Sequence, residues 1–483
     1  MLEGLEITEL SFSEVRREST KLRLDSGYFA KPMLEAEALI RNYPSGYDEL
    51  GSLFSRFVKG IFDINANSYA EAGVPFLRIL NLRNGFIDES NLALIPELIH
   101  REEIKTELKR GDIVLSKTAY PAASLVTLDR CNTSQDTIAT TLSGYGRSAY
   151  TPEAVVAYLN SVIGQRLLSR HFQGNVQLHL SLDDGRKVPI PKFCLKLQEA
   201  ITATFRKADL AGNAAIHSTR QAETTLLHAL GLNNWQTAEP LAYTRSSRDA
   251  FAAGRLDAEY FTPRISALRT LLGRDGLCLA DVASMRHERF KAEGTGNFDY
   301  IEIGGVQADG TAIAETTLLS DAPSRATQHV REGDVVTSTV RPIRRLSALI
   351  SKEQDGAVCS SGFVVLEPYA IAPETLLTYL RLSPICELMD LHTSASLYPA
   401  ISEKDLVALP VPSIDANIQA SVKSYVRSAQ QTRHRAAQFI EAAKRAVEIA
   451  IEQDEAAGLA YLAAQNALSP GAQPSPATAG YLQ

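Results

Sequence analysis

The stretches RLDSGYFAKP (23–32) and RLDAEYFTP (255–263) spell nearly the same peptide twice, and their repetition sets how the rest of the chain is read. Asp25 and Asp257 lie 232 residues apart. Two further landmarks return in the same order. KRGDIVLSKT (109–118) is answered by REGDVVTSTV (331–340), with Asp112 and Asp334 separated by 222 residues. VPIP (188–191) is answered by LPVP (409–412), with Pro189 and Pro410 separated by 221. Three matches in register with a shrinking offset read as an internal duplication whose second copy has lost loop residues.

Each copy carries the same expected elements. The runs FLRILNL (76–82) and DYIEIGGV (299–306) have strand character and are followed by Asn84-Gly85 and Asp309-Gly310, dipeptides that favour tight turns. DIVLS (112–116) and DVVTST (334–339) are strands entered through a Gly-Asp turn. Pro152 and Pro373 stand where a first helical turn accepts proline and open helical stretches. Each Pro-x-Pro then suits an edge or exit strand, because proline cannot donate to a ladder.

A long helix is expected after each Pro-x-Pro. Alternating steps of four and three from Ile201 pick out Phe205, Ala208 and, further on, Leu226; the same steps from Ile418 pick out Val422, Tyr425 and Phe439. A seam of period 3.5 sustained over about four heptads is the mark of a coiled coil. The matching seam lengths favour the helices pairing with each other, against the alternative that each packs on its own domain. The boundaries follow: an N-terminal segment 1–22, a mixed domain 23–193, a helix 194–231, a linker 232–254, a second mixed domain 255–415, a helix 416–466 and a Pro/Ala/Gly/Ser-rich tail 467–483 expected to be disordered. The fold class is α+β, with two mixed α/β domains in tandem duplication separated by two long helices pairing as an antiparallel coiled coil.

Composition narrows the function. With 483 residues the chain exceeds one core, and 45% apolar with 22% charged content is ordinary for a globular protein. Its apolar runs fall far short of the ~20 residues that cross a bilayer, and the acidic opening MLEGLEITEL does not read as a secretory leader, so a cytoplasmic location is expected. Five scattered cysteines and nine histidines show neither CxxC nor HExxH spacing, so no metal site or disulfide framework is expected. The chain holds no P-loop, no helix-opening GxGxxG, no Asn/Asp-Pro-Pro-aromatic tetrapeptide, no Pro-Asp dipeptide and no GxSxG. It is read as non-catalytic. The net charge of −7 argues against holding DNA by bulk electrostatics alone.

Two unlike domains alternating with two long helices resemble the specificity subunits of type I restriction-modification systems over about residues 20 to 465. The resemblance rests on the RLDxxYF openings, the GVPFLRILNLRNG and NFDYIEIGGVQADG pieces, the two Gly-Asp entries and the Pro-x-Pro exits. It implies that each domain is a target recognition domain reading half of a split double-stranded DNA sequence. It implies also that the helices are a spacer around which methyltransferase subunits, two in number, dock, with a restriction/translocase subunit as a further partner. No cofactor is expected on this chain; S-adenosylmethionine, and ATP where a nuclease is present, are expected on the partners. A run of about 29 helical residues spans roughly 43 Å, an upper bound consistent with half-sites about one DNA turn apart.

Side-chain chemistry nominates the contacts: Arg and Lys for guanine and phosphates, amides for adenine, hydroxyls for either. In the loop after the Gly-Asp strand these are Arg341, Arg344 and Arg345, against Lys117, Thr118 and Tyr120 in the first copy. Before the first strand pair, Arg286, Arg289 and Lys291 match Arg56 and Lys59; ahead of the Pro-x-Pro, Gln177 and His179 match Ser396 and Tyr398. A solvated surface charge is the competing reading for each. For the whole chain the alternative is a non-DNA scaffold or adaptor built from a duplicated α/β domain, which the acidic charge favours.

Overall fold

The computed structural model describes residues 8–18, 23–64, 68–174, 178–233, 235, 240–394 and 398–467, with Arg17, Glu18 and Ser394 by their backbone alone. It divides into two compact units, Met1–Leu210 with Arg435–Gln483, and Ala211–His434. The division falls inside both long helices, so each unit holds one mixed domain and half of each helix.

In unit 1 a five-stranded sheet runs Phe54–Lys59, Thr137–Leu142, Ile113–Ser116, Ala123–Leu125, Gly85–Phe86. A three-stranded sheet runs Ala93–Ile95, Val74–Leu77, Asn132–Thr133, its last two strands parallel. Unit 2 repeats the plan: Ala283–Met285, Phe363–Pro368, Val335–Ser338, Ser347–Leu349 in one sheet, and Glu315–Leu318, Asn297–Ile301, Val358–Ser360, Ala326–His329 in the other, again with one parallel pair. Unit 1 has Gly85–Phe86 as its additional strand and unit 2 has Ala326–His329.

The duplication reaches individual hydrogen bonds. Gly111 and Gly333 share a left-handed φ of 86°, which only glycine adopts without cost. The following carboxylates close the turn by accepting the N–H of Lys109 and of Arg331. Tyr158 and Tyr379, both fully buried, donate to the carbonyls of Pro189 and Pro410. Gln198 and Gln419, one on each long helix, accept the N–H of Thr151 and of Ala372, the residues preceding Pro152 and Pro373. A helix N-terminus leaves donors without intrahelical partners, and here the neighbouring long helix supplies acceptors. Ser181 and Ser402 cap matching short helices by accepting from Asp184 and Asp405.

The long helices are Leu195–Leu230 and Ala416–Glu452. In unit 1, Leu197, Ile201, Phe205 and Ala208 share one hydrophobic cluster with Ala443, Ala446, Val447 and Ala450. In unit 2, Ala222, Leu226 and Leu230 share another with Val422 and Val426. The start of one helix meets the end of the other in unit 1, and the reverse holds in unit 2. The pair is antiparallel, and alanine at many seam positions permits the close approach. Ile418, Tyr425 and Phe439 pack on these clusters half-buried, while Val426 and Ile440, one residue onward from the last two, are buried. A helix of 3.6 residues per turn drifts from a strict 3.5 repeat, which moves the buried line of the second helix.

Several expectations are corrected. The offset between copies does not shrink smoothly: it is 222 at Ile113/Val335, rises to 226 at Thr140/Leu366 and falls to 221 at Tyr158/Tyr379, so unit 2 has gained residues around its Gly-Asp strand as well as lost them. Asn84-Gly85 makes no hairpin turn; Gly85–Phe86 is a strand parallel to Ala123–Leu125, pressed so near the second helix that a Cβ on Gly85 would sit 3.1 Å from Ile440. Asp309-Gly310 does turn, bridging Val306 to Ala312. The helical stretches after Pro152 and Pro373 each break in two, at Ser161 and Leu382. The strand-like runs at 76–82 and 299–306 pass into 3-10 turns after Leu77 and Ile301. Pro189–Pro191 pairs with Tyr47–Glu49, whereas Pro410 makes one bridge, to Cys278. The second helical segment, expected to run 416–466, ends at Glu452 and restarts as Glu455–Ala467. The expected disordered tail overlaps that helix at Ala467; its residues 468–483 lie outside the described residues. Among the described residues no helix is long and apolar enough to cross a membrane.

Candidate nucleic-acid interface

In each unit the loop that leaves the Gly-Asp strand is stitched to a small hairpin ahead of the Pro-x-Pro. In unit 1 the hairpin is Phe172–Gln173 with His179–Leu180. Thr118 bridges to His179, the Ala119 N–H donates to the Leu178 carbonyl at 3.1 Å, and the Leu180 N–H donates to the Lys117 carbonyl at 2.8 Å. In unit 2 the hairpin is Thr393–Ser394 with Ala400–Ile401. Val340 bridges to Ala400, the Arg341 N–H donates to the Pro399 carbonyl at 2.8 Å, and the Ile401 N–H donates to the Thr339 carbonyl at 3.0 Å. Ala119 and Arg341 therefore occupy the same place, and both are left-handed, with φ of 65° and 51°. For residues bearing a Cβ this conformation costs about 1–2 kcal/mol. Strain retained at the same spot twice marks a site worth functional attention.

These junctions bring together the nominated residues from distant sequence. In unit 1, Lys59 pairs with Ile138 and the Lys117 N–H donates to the Asp136 carbonyl, two residues earlier in the chain; burial first, and then the Lys59 charge, lower the Lys117 pKa against the opposing pull of Asp136. A like charge nearby disfavours the protonated lysine, a cost that a bound anion would offset. Lys59 also sits 4.5 Å from the Phe62 ring centroid, and that ring is 70% exposed. Tyr120 and His179 are exposed beside them. In unit 2, Arg344 is exposed, and the Arg341 guanidinium lies over the Tyr398 ring, 5.4 Å from its centroid, with Tyr398 70% exposed. Arg289 and Lys291 are exposed on the neighbouring segment, where Arg289 bridges through its backbone to Gln328.

Four nominated residues are withdrawn from the surface by the fold. Arg56 is paired with Asp112 at 3.3 Å and with the Thr141 hydroxyl. Arg286 makes two hydrogen bonds, at 2.7 and 3.0 Å, to Asp334, the carboxylate that closes the Gly-Asp turn. The strand register places Phe57 opposite Thr140 and Met285 opposite Leu366, so Arg56 and Arg286 sit two ladder positions apart and hence on the same face of equivalent strands. Both clamp a strand to the turn. Thr118 is buried and serves through its backbone bridge. Arg345 is pinned to Glu223 on the first long helix, while its carbonyl accepts from the buried Arg381 at 2.8 Å. Burial, and then the Arg345 charge, bring Arg381 down to about 10. Gln177 and Ser396 lie outside the described residues.

Phe62, Leu178 and Ile343 were not nominated, yet each is an exposed apolar side chain in or beside a basic loop. The available signal was an isolated large apolar residue inside a turn-rich, basic stretch, the kind of group that contacts a thymine methyl. Among the described residues no cluster of three or more His, Cys, Asp or Glu side chains could hold a metal ion. Burial raises the thiols of Cys131 and Cys359 to about 12 and that of Cys386 to about 11, so none of these is an activated nucleophile.

No family model matches the chain. A curated relative, the type I restriction enzyme HindI specificity subunit of Haemophilus influenzae, is 24% identical over 148 residues, which are 30% of this chain and 32% of that protein. The match thus spans about a third of the relative's length. Among solved structures, the type I restriction-modification S subunit from M. genitalium aligns over 87% of this chain and 96% of its own, with 12% identity and a TM-score of 0.37. The HsdS subunit from Thermoanaerobacter tengcongensis aligns over 85% of this chain and 97% of its own, with 15% identity and a TM-score of 0.26. The chain is similar to specificity subunits of type I systems.

Proposed function

We propose that this chain is a sequence-reading DNA-binding subunit without catalysis of its own, directing methyltransferase subunits to an asymmetric, bipartite target. One observation carries the reading: the same loop-and-hairpin junction is built once in each unit, on equivalent strained backbone, with different basic and aromatic side chains. Duplicated scaffold with divergent contacts suits two half-sites of different sequence, since phosphate contacts position a protein and base contacts specify its target. The 148-residue likeness to a type I specificity subunit supports the same reading.

On this reading the partners are double-stranded DNA, two methyltransferase subunits holding S-adenosylmethionine and, where the system also cuts, a restriction/translocase subunit using ATP. The methyltransferases contribute much of the phosphate contact, which accommodates the net charge of −7. Lys59, Lys117, Tyr120 and His179 face one half-site; Arg289, Lys291, Arg341, Arg344 and Tyr398 face the other. The same net charge favours the scaffold reading, and one experiment separates the two. Residues 25–192 are exchanged for another recognition domain, and genomic methylation is mapped with and without the gene. A split methylated motif that disappears on deletion and changes in one half after the exchange is expected. Methylation indifferent to both changes would overturn the proposal.

A further inference from the structure

We infer that Arg341, seated on Tyr398, reads a guanine in the half-site faced by unit 2, and that unit 1 has no arginine in the corresponding position. This rests on the DNA-reading function proposed above. The strand ladders locate the asymmetry. In unit 1 the Gly-Asp strand pairs Leu115 with Ala123, and in unit 2 it pairs Thr337 with Ser347, so the intervening loop is two residues longer in unit 2. Unit 1 fills its loop with KTAYPA (117–122) and unit 2 with TVRPIRRL (339–346). At the shared left-handed position stands Ala119 in one and Arg341 in the other.

The three arginines of the longer loop have separate duties. Arg345 is held by Glu223 and anchors the loop to the helix. Arg344 is exposed at the end of the Pro342–Arg344 turn, suited to a mobile contact with a phosphate. Arg341 is fixed at both ends, by its N–H on the Pro399 carbonyl and by its guanidinium over the Tyr398 ring. An aromatic ring under a guanidinium restrains the plane in which its N–H groups lie. A planar fork matches the O6 and N7 acceptors of guanine in the major groove. Ordering the side chain beforehand lowers the entropy lost on binding.

The test uses the full chain assembled with its methyltransferase subunits, acting on duplexes in which each base of the unit 2 half-site is varied. The wild-type complex should prefer guanine at one position by about tenfold to a hundredfold. Arg341→Lys retains the charge without the fork, and Arg341→Gly suits the left-handed backbone, so the loop folds in both. Both should erase the preference at that position and leave the unit 1 half-site unchanged, while Tyr398→Phe should retain it. If the variants keep the motif and instead lose methylation evenly across sequences with a shallower salt dependence, Arg341 is a phosphate contact and the inference is overturned. A wild-type complex that recognises no bipartite motif would overturn the parent reading, an outcome distinct from a motif that ignores Arg341.

Discussion

Units 1 and 2 share a plan and diverge where the plan ends. Buried tyrosines, helix-borne glutamines, serine caps and Gly-Asp turns recur bond for bond. The clamp beneath the loop that leaves the Gly-Asp strand differs in its bonding. Unit 1 holds Asp112 with a single arginine contact at 3.3 Å. Unit 2 holds Asp334, whose side chain is 2% exposed, with a bidentate Arg286 that also reaches Glu367 at 3.2 Å. Unit 2 also carries the longer loop with three arginines. A longer, more highly charged loop sits on the tighter clamp, a pairing expected where a flexible element must be held to a fixed geometry.

That contrast can be broken first at the clamps. Asp334→Ala removes both Arg286 hydrogen bonds to Asp334 and the acceptor of the Arg331 N–H, leaving Arg286 the half-exposed Glu367, and should cost about 3 kcal/mol, whereas Asp112→Ala, leaving a more exposed and weakly bonded Arg56, should cost about 1–2 kcal/mol. Chemical denaturation of each unit's transition measures both, and equal losses would erase the distinction.

A second contrast is in acid. His171 packs edge-on against Tyr28, and His392 against Tyr260. Burial, and then the Arg170 charge, lower His171 to about 4; burial chiefly lowers His392 as well. A depressed histidine binds its proton more readily in the unfolded chain. Its contribution is therefore present above the unfolded value of about 6.5 and lost as pH falls through the folded value. Unit 1 should lose as much as about 3 kcal/mol between pH 6.5 and 4. Thermal melts across that window should flatten in His171→Phe, and an unchanged slope would remove His171 as the cause.

The smallest effect tests the shared strain. Ala119→Gly should stabilise unit 1 by about 0.5–1 kcal/mol, the relief of a left-handed Cβ less the added freedom of glycine in the unfolded chain. A destabilised variant would mean that the Ala119 methyl makes contacts worth more than the strain it carries.

Much of the fold was legible because its signals are local. RLDxxYF, the Gly-Asp entries, the prolines at helix starts and the 3.5-residue seam each need only a few neighbouring residues to be read. The site was less legible. Lys59, Lys117, Arg341, Arg344 and Tyr398 do lie at or beside the two junctions, where the copies keep the backbone plan and differ in side chains. Arg56, Arg286 and Arg345 could not be distinguished from them. Their partners lie 56, 48 and 122 residues away, and a basic side chain reads the same before and after it finds a carboxylate.

By itself the amino-acid order determined that the chain is duplicated, that each copy mixes strands and helices, and that two long helices with a continuous apolar stripe must find partners. Periodicity and turn chemistry act over a handful of bonds and survive without knowledge of the fold. Only the tertiary structure decided which cations face outward and which are spent inside, how each loop is tied to its hairpin, and where the second copy gained residues as well as lost them. Those outcomes depend on which charged groups desolvate together across long stretches of chain.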